Sequence, residues 1–173
     1  PALPPPSTPP PRPLTAEWLA AHTKSSEGPL SLAREAKLPA ELDEGMASAC
    51  SLLRLRRGGA EEWYVVKRAV SDAADVGSLH REYSFYKEVA HGPKLSRLAR
   101  HLHVPRPLVT FWGSEGQEAR GFLLVLERLQ SPAWVHVDPL QGCSAKQAAD
   151  AAQALGQLHA AFTLAQLPSW AIL

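Results

Sequence analysis

Apolar and polar positions change rhythm several times along this chain, and each change predicts an element. Leu14-Thr-Ala-Glu-Trp-Leu-Ala-Ala21 has helical spacing: Thr15 is a suitable N-cap, Glu17 suits the positive end of the helix, and Trp18, Leu19 and His22 would face the body. Residues 25–38 mix turn residues with a short apolar run and read as loop, with room for one strand. Beyond residue 42 the pattern is that of strands. Segments 48–56 and 62–69 flank Arg57-Gly-Gly-Ala-Glu61, whose glycine pair can take the positive φ that a hairpin needs, which predicts two antiparallel strands. Leu79, Tyr83, Tyr86 and Ala90 then recur at helical spacing and predict a helix over 76–91, ended by Gly92-Pro93. A shorter helix is expected over 93–100, followed by Val104-Pro-Arg-Pro107, which the prolines keep extended. A second strand pair, 108–112 and 121–126, surrounds a polar turn. Its second member is continuously apolar, as a strand covered on both faces would be. Ser144 caps a final helix over 145–164, for which Ala148, Ala152, Leu155, Leu158 and Phe162 form the expected buried stripe. The fold class is therefore α+β, an antiparallel sheet of about five strands with packed helices.

Totals narrow the partners more than the fold. At 173 residues the chain is long enough for one domain with a real core, and a net charge of +1 gives no reason to expect nucleic acid. Two cysteines, Cys50 and Cys143, are too few for a disulfide framework or a zinc cluster. No apolar run reaches the length of a membrane span and no secretory leader is visible, so the expected setting is cytoplasmic, with no membrane partner. Residues 1–13 hold eight of the sixteen prolines and are expected to form an extended leader outside the fold. Pro6-Ser-Thr-Pro9 and Pro10-Pro-Arg-Pro13 fit the loose PxxP pattern, which disordered tails also fit.

Candidate chemistry centres on Lys67. It ends the apolar, β-branched run Trp63-Tyr-Val-Val-Lys67, and a cation there needs a partner or a ligand. Glu82 lies fifteen residues on, in the predicted helix, where it could reach the strand. Two readings stand at this point: a lysine held by a glutamate beside an anion, or a lysine that snorkels to water while Glu82 lies on a solvated face. Asp43-Glu-Gly-Met-Ala-Ser48, just before the first hairpin strand, is small enough to let backbone N–H groups approach an anion, although turns of this composition are common. Metal hydrolysis fits poorly, because His101-Leu-His103 has no accompanying HExxH helix. Serine hydrolysis fits poorly too, since there is no G-x-S-x-G elbow.

Taken in order, these elements resemble the N-terminal lobe of the kinase-like fold followed by the first helix of its C-terminal lobe. Leu79-His-Arg-Glu-Tyr-Ser-Phe-Tyr86, Leu123-Leu-Val-Leu-Glu-Arg-Leu129 and Ala154-Leu-Gly-Gln-Leu-His-Ala160 are similar to segments of the ecdysteroid-kinase-like and choline-kinase-like families, relatives of the aminoglycoside phosphotransferases. The resemblance implies a domain plan of leader (1–13), N-lobe and hinge (14–129), and the start of a C-lobe (130–173). It further implies an ATP site in which Lys67 meets the phosphates, Glu82 holds Lys67, Gly45 and Ser48 cover the phosphates, and the backbone around Val125, Glu127 and Leu129 meets the adenine edge. His159 would be structural.

Three departures qualify that inheritance. The phosphate loop lacks the G-x-G-x-x-G pattern, and Arg128 stands where an acid is usual. The family's His-Gly-Asp segment is absent. Val135-His-Val-Asp138 imitates it on the wrong side of the final helix, and the chain contains no asparagine to hold Mg²⁺. The expectation is thus the amino-terminal, nucleotide-binding portion of a small-molecule phosphotransferase. Its hydroxyl acceptor and Mg²⁺ would belong to a complete protein, and the chain by itself would be inactive. A non-catalytic module that binds nucleotide or protein through the same lobe, and an unrelated α+β domain, are the alternatives. An isolated lobe would also expose an apolar cleft wall, bordered by Val66, Val125 and Leu129, through which it could self-associate.

Overall fold

A computed structural model describes residues 10–23, 30–37, 48–69, 76–91, 104–113, 121–129 and 142–161. The elements in chain order are α1 (Ala16–His22), β1 (Leu30–Lys37), β2 (Ser48–Arg57), β3 (Ala60–Ala69), α2 (Val76–His91), β4 (Pro107–Phe111), β5 (Leu123–Glu127) and α3 (Ala145–Ala161). The five strands form one antiparallel sheet in the order β1-β2-β3-β5-β4. The fold is α+β, and among the described residues no helix is long and apolar enough to cross a membrane.

Local chemistry explains most boundaries. The Thr15 hydroxyl accepts from the Trp18 N–H at 3.2 Å and starts α1. Gly58 (φ 54°) and Gly59 (φ 90°) form the two-residue turn between β2 and β3, with Arg57 paired to Ala60, a geometry that residues with a Cβ adopt only under strain. At the far end of the β4–β5 pair, a Cβ on Gly121 would collide with the backbone of Gly113, so two chain segments meet there without side chains.

Strand alternation sorts the core into two layers. One face of the sheet, with Leu53, Leu55, Val66, Val109, Leu123 and Val125, packs on Leu14, Trp18 and Leu19 from α1 and its entry. Trp18 stacks on His22 at 3.8 Å and meets Phe111 edge-on. The opposite face, with Ala69, Phe122, Leu124 and Leu126, packs on Leu79, Tyr83 and Tyr86 of α2. The sheet is therefore covered on both sides.

Several expectations require correction. The segment read as loop with room for one strand holds a full edge strand, β1, over Leu30–Lys37, longer than its short apolar run suggested. The end of the leader is not outside the fold: Arg68 donates to the Pro11 carbonyl at 3.5 Å, and Glu35, half-buried on β1, receives Arg68, the Ser51 hydroxyl and the Leu14 N–H. The expected stripe on α3 is largely uncovered: Ala148 and Ala152 are exposed, Leu155 is 53 % exposed and only Leu158 is half-buried, because a periodic stripe is buried only where another element covers it. The expected helix over 93–100, the His101-Leu-His103 and Val135-His-Val-Asp138 segments, the Ala90 side chain, Phe162 and the first PxxP segment lie outside the described residues.

Candidate functional site

Lys67 lies near the end of β3 on the face that α2 covers. In the ladder its neighbours are Cys50 on β2 and Leu124 on β5. Glu82 comes from the middle of α2, and its two carboxylate oxygens accept from the Lys67 ammonium at 2.7 and 2.8 Å. Both side chains keep about a quarter of their surface, 27 % and 28 %, so the pair sits at the edge of the helix-covered area with one side toward solvent. Tyr86, one turn beyond Glu82, is pushed up to about 12, first by burial and then by the Glu82 charge. The reading in which Lys67 snorkels alone and Glu82 lies apart is thus excluded by the geometry.

Rows of side chains surround the pair on the same face, set by the period of two along each strand. Ser48, buried, faces Ala69 in the row beyond Lys67. In the row on the other side, Leu52, Val65 and Leu126 stand next to one another across β2, β3 and β5, with Leu52 and Val65 half-buried. One row further, Arg54 faces Trp63. The guanidinium carbons of Arg54 and Arg128 lie 6.0 and 5.7 Å from the Trp63 ring centroid. The face therefore runs from an ammonium, across an aliphatic patch, to an aromatic ring flanked by two cations.

The other sequence-derived residues divide. Gly45 lies outside the described residues. Val66 and Val125 are fully buried on the α1 side, so neither borders an exposed wall, contrary to the expectation from sequence. Each is one residue out of step with Lys67 or Leu124, and the strand period sends it through the sheet. Glu127 likewise faces the α1 side opposite Tyr64, where its carboxylate accepts from the Arg106 side chain at 3.2 Å. Its backbone N–H donates to the Arg106 carbonyl and that of Arg128 to the Trp63 carbonyl, so two backbone donors of the expected hinge are committed elsewhere. Leu129, 36 % exposed, is the residue of the expected hinge that does reach the surface. The residues that sequence reasoning missed are Leu52, Val65 and Leu126. Counting in twos from Lys67 would have found Val65 in place of Val66. His159 is exposed on α3, and nothing described there gives it a partner.

Among the described residues no group of three or more histidines, cysteines and carboxylates converges on one point. Fold and site together define an α+β domain with a sheet lysine and a helix glutamate closed on each other beside a half-covered aliphatic row. No protein-family model, no curated protein and no solved structure matches the chain.

Proposed function

We propose that this chain is the nucleotide-holding lobe of an ATP-dependent small-molecule phosphotransferase of the kinase-like kind. The observation that carries the reading is the two-point hydrogen bond between Lys67 and Glu82, which joins a strand to the helix above it. An ammonium has three protons, and Glu82 takes two, which leaves the third for an anion on the solvent side. The carboxylate fixes where that proton points, so phosphate oxygens would be met by a positioned charge. About 7 Å along the sheet, two residues at the usual rise, the row of Leu52, Val65 and Leu126 offers an apolar face suited to a purine ring. The hinge carbonyls and Leu129 would then meet the base edge. When bound, ATP would supply the phosphoryl group that passes to a hydroxyl acceptor.

The 173 residues contain neither a His-Gly-Asp segment nor an asparagine, so the proposed task of this chain is binding, and base and Mg²⁺ ligands would come from outside it. Calorimetric titration with ATP tests the reading. Saturable binding is expected, weakened about tenfold or more in Lys67→Ala with the melting temperature nearly unchanged. Equal binding by both proteins, or none by either, would overturn it. Phosphoryl transfer by the chain alone would instead refute the division of labour.

A further inference from the structure

Beyond the aliphatic row of Leu52, Val65 and Leu126, the next row on the same face holds Arg54, Trp63 and Arg128. Rows on one face are about 7 Å apart, so a planar base lying flat on the aliphatic row would find these side chains standing at its edge.

That edge is lined by donors. Arg128 is half-exposed, with its guanidinium carbon 5.7 Å from the Trp63 ring centroid, and among the described residues no carboxylate or carbonyl is bound to its side-chain N–H groups. Arg54 leans toward Glu61 at 3.6 Å, which makes Arg128 the fork facing a ligand. The backbone N–H groups of Glu127 and Arg128 are already given to the Arg106 and Trp63 carbonyls. A hollow of about 480 Å³ opens beside Trp63 and Arg128 at this end of the sheet, with Leu108 among its walls, so a ring edge has room there.

The purine bases divide on this chemistry. Guanine carries two acceptors, O6 and N7, side by side on one edge, and a guanidinium meets both with parallel N–H groups. Adenine carries N7 beside its N6 amino group, which would face the guanidinium donor to donor. Its N1 acceptor, moreover, finds no uncommitted N–H on Glu127 or Arg128.

Resting on the nucleotide reading above, we infer that the face beside Lys67 selects guanine. GTP lies with its phosphates at Lys67, its ring on Leu52, Val65 and Leu126, and its O6 and N7 on the Arg128 fork, and ATP is the weaker of the two ligands.

Calorimetric titration of the full chain with GTP, ITP and ATP in turn tests the assignment. GTP should bind about fivefold more tightly than ATP, and ITP, which keeps O6 and N7 but lacks the 2-amino group, should follow GTP. Arg128→Ala should bring all of them within about twofold of one another. Arg128→Gln, whose amide pairs with adenine N6 and N7, should turn the order toward ATP. ATP binding as tightly as GTP, ITP following ATP, or an order that survives Arg128→Ala would overturn the guanine assignment and leave the nucleotide reading standing. Binding of none of these nucleotides would remove that reading, and this assignment with it.

Discussion

Glu82 acts on two neighbours at once. It accepts from Lys67 at 2.7 and 2.8 Å, and its charge helps to hold the Tyr86 phenol near 12, against an ordinary value of 10.0. Glu82→Gln keeps the shape and removes the charge, so both effects should fall together. A negative neighbour disfavours a phenolate, and its removal should therefore lower the Tyr86 pKa, with burial keeping it above 10. Ultraviolet titration of the variant checks this without any ligand. ATP affinity should drop about tenfold in the same protein, because the glutamine amide offers Lys67 one neutral acceptor in place of two charged ones. That Lys67 needed a partner was legible from its place at the end of an apolar run, and Glu82 was the helix residue at the right reach. Less legible was which apolar residues share its face: Val65 and Val66 are alike in chemistry, and only the parity of the strand separates them.

At the scale of elements, the molecule is held together where sequence gave least warning. Glu35 on β1 gathers Arg68 from β3, Ser51 from β2 and the N–H of Leu14 at the entry to α1, and so fastens the end of the leader and the first helix to the sheet. Burial, the largest single influence on Glu35, pushes its pKa up. Hydrogen bonds from Arg68, Ser51 and Leu14, with the Arg68 charge, more than offset this and bring it below the ordinary 4.5. A carboxyl with a depressed folded pKa contributes stability above its unfolded value, and that contribution fades as pH falls below 4.5 through the folded value. Glu35→Gln should therefore be less stable than the unsubstituted chain at neutral pH, by about 1.5–3 kcal/mol as for other lost hydrogen bonds to a charged group, and the gap should close toward acid. Melting curves across pH measure it. Gly121→Ala should cost about 1–3 kcal/mol, because the added methyl meets the Gly113 backbone and no side chain can yield there. The hairpin glycines, the cap at Thr15 and the span of α2 are local signals, written within a few residues. β1 and the Glu35 network are long-range, joining residues up to 57 apart, and no local pattern announces them.

For the whole molecule, the consequence of a sheet covered on both faces is a steep gradient of local stability. Sheet order places β5 between β3 and β4, so β3 and β5 lie inside the sheet, with Val66, Leu124 and Val125 fully buried. The continuously apolar run at 122–126 foretold a central strand, but its insertion beside β3 is a matter of chain crossing that composition does not encode. α3 stands at the other extreme: its helical period was plain, yet periodicity records only that a face could be buried, and here Leu155 remains 53 % exposed. Amide hydrogen exchange should reflect this gradient. The N–H groups of β3 and β5 should exchange only through global unfolding, while those of α3 open locally and exchange fastest among the described elements. Saturating ATP, if it seats against Lys67, should slow exchange further in β2, β3 and the α2 turn around Glu82 and leave α3 as it was, since a ligand stabilises only what must be folded to bind it. Protection of α3 equal to that of β5 without ligand would mean that the helix is packed in solution, and an ATP effect absent from β3 and α2 would remove the nucleotide from Lys67.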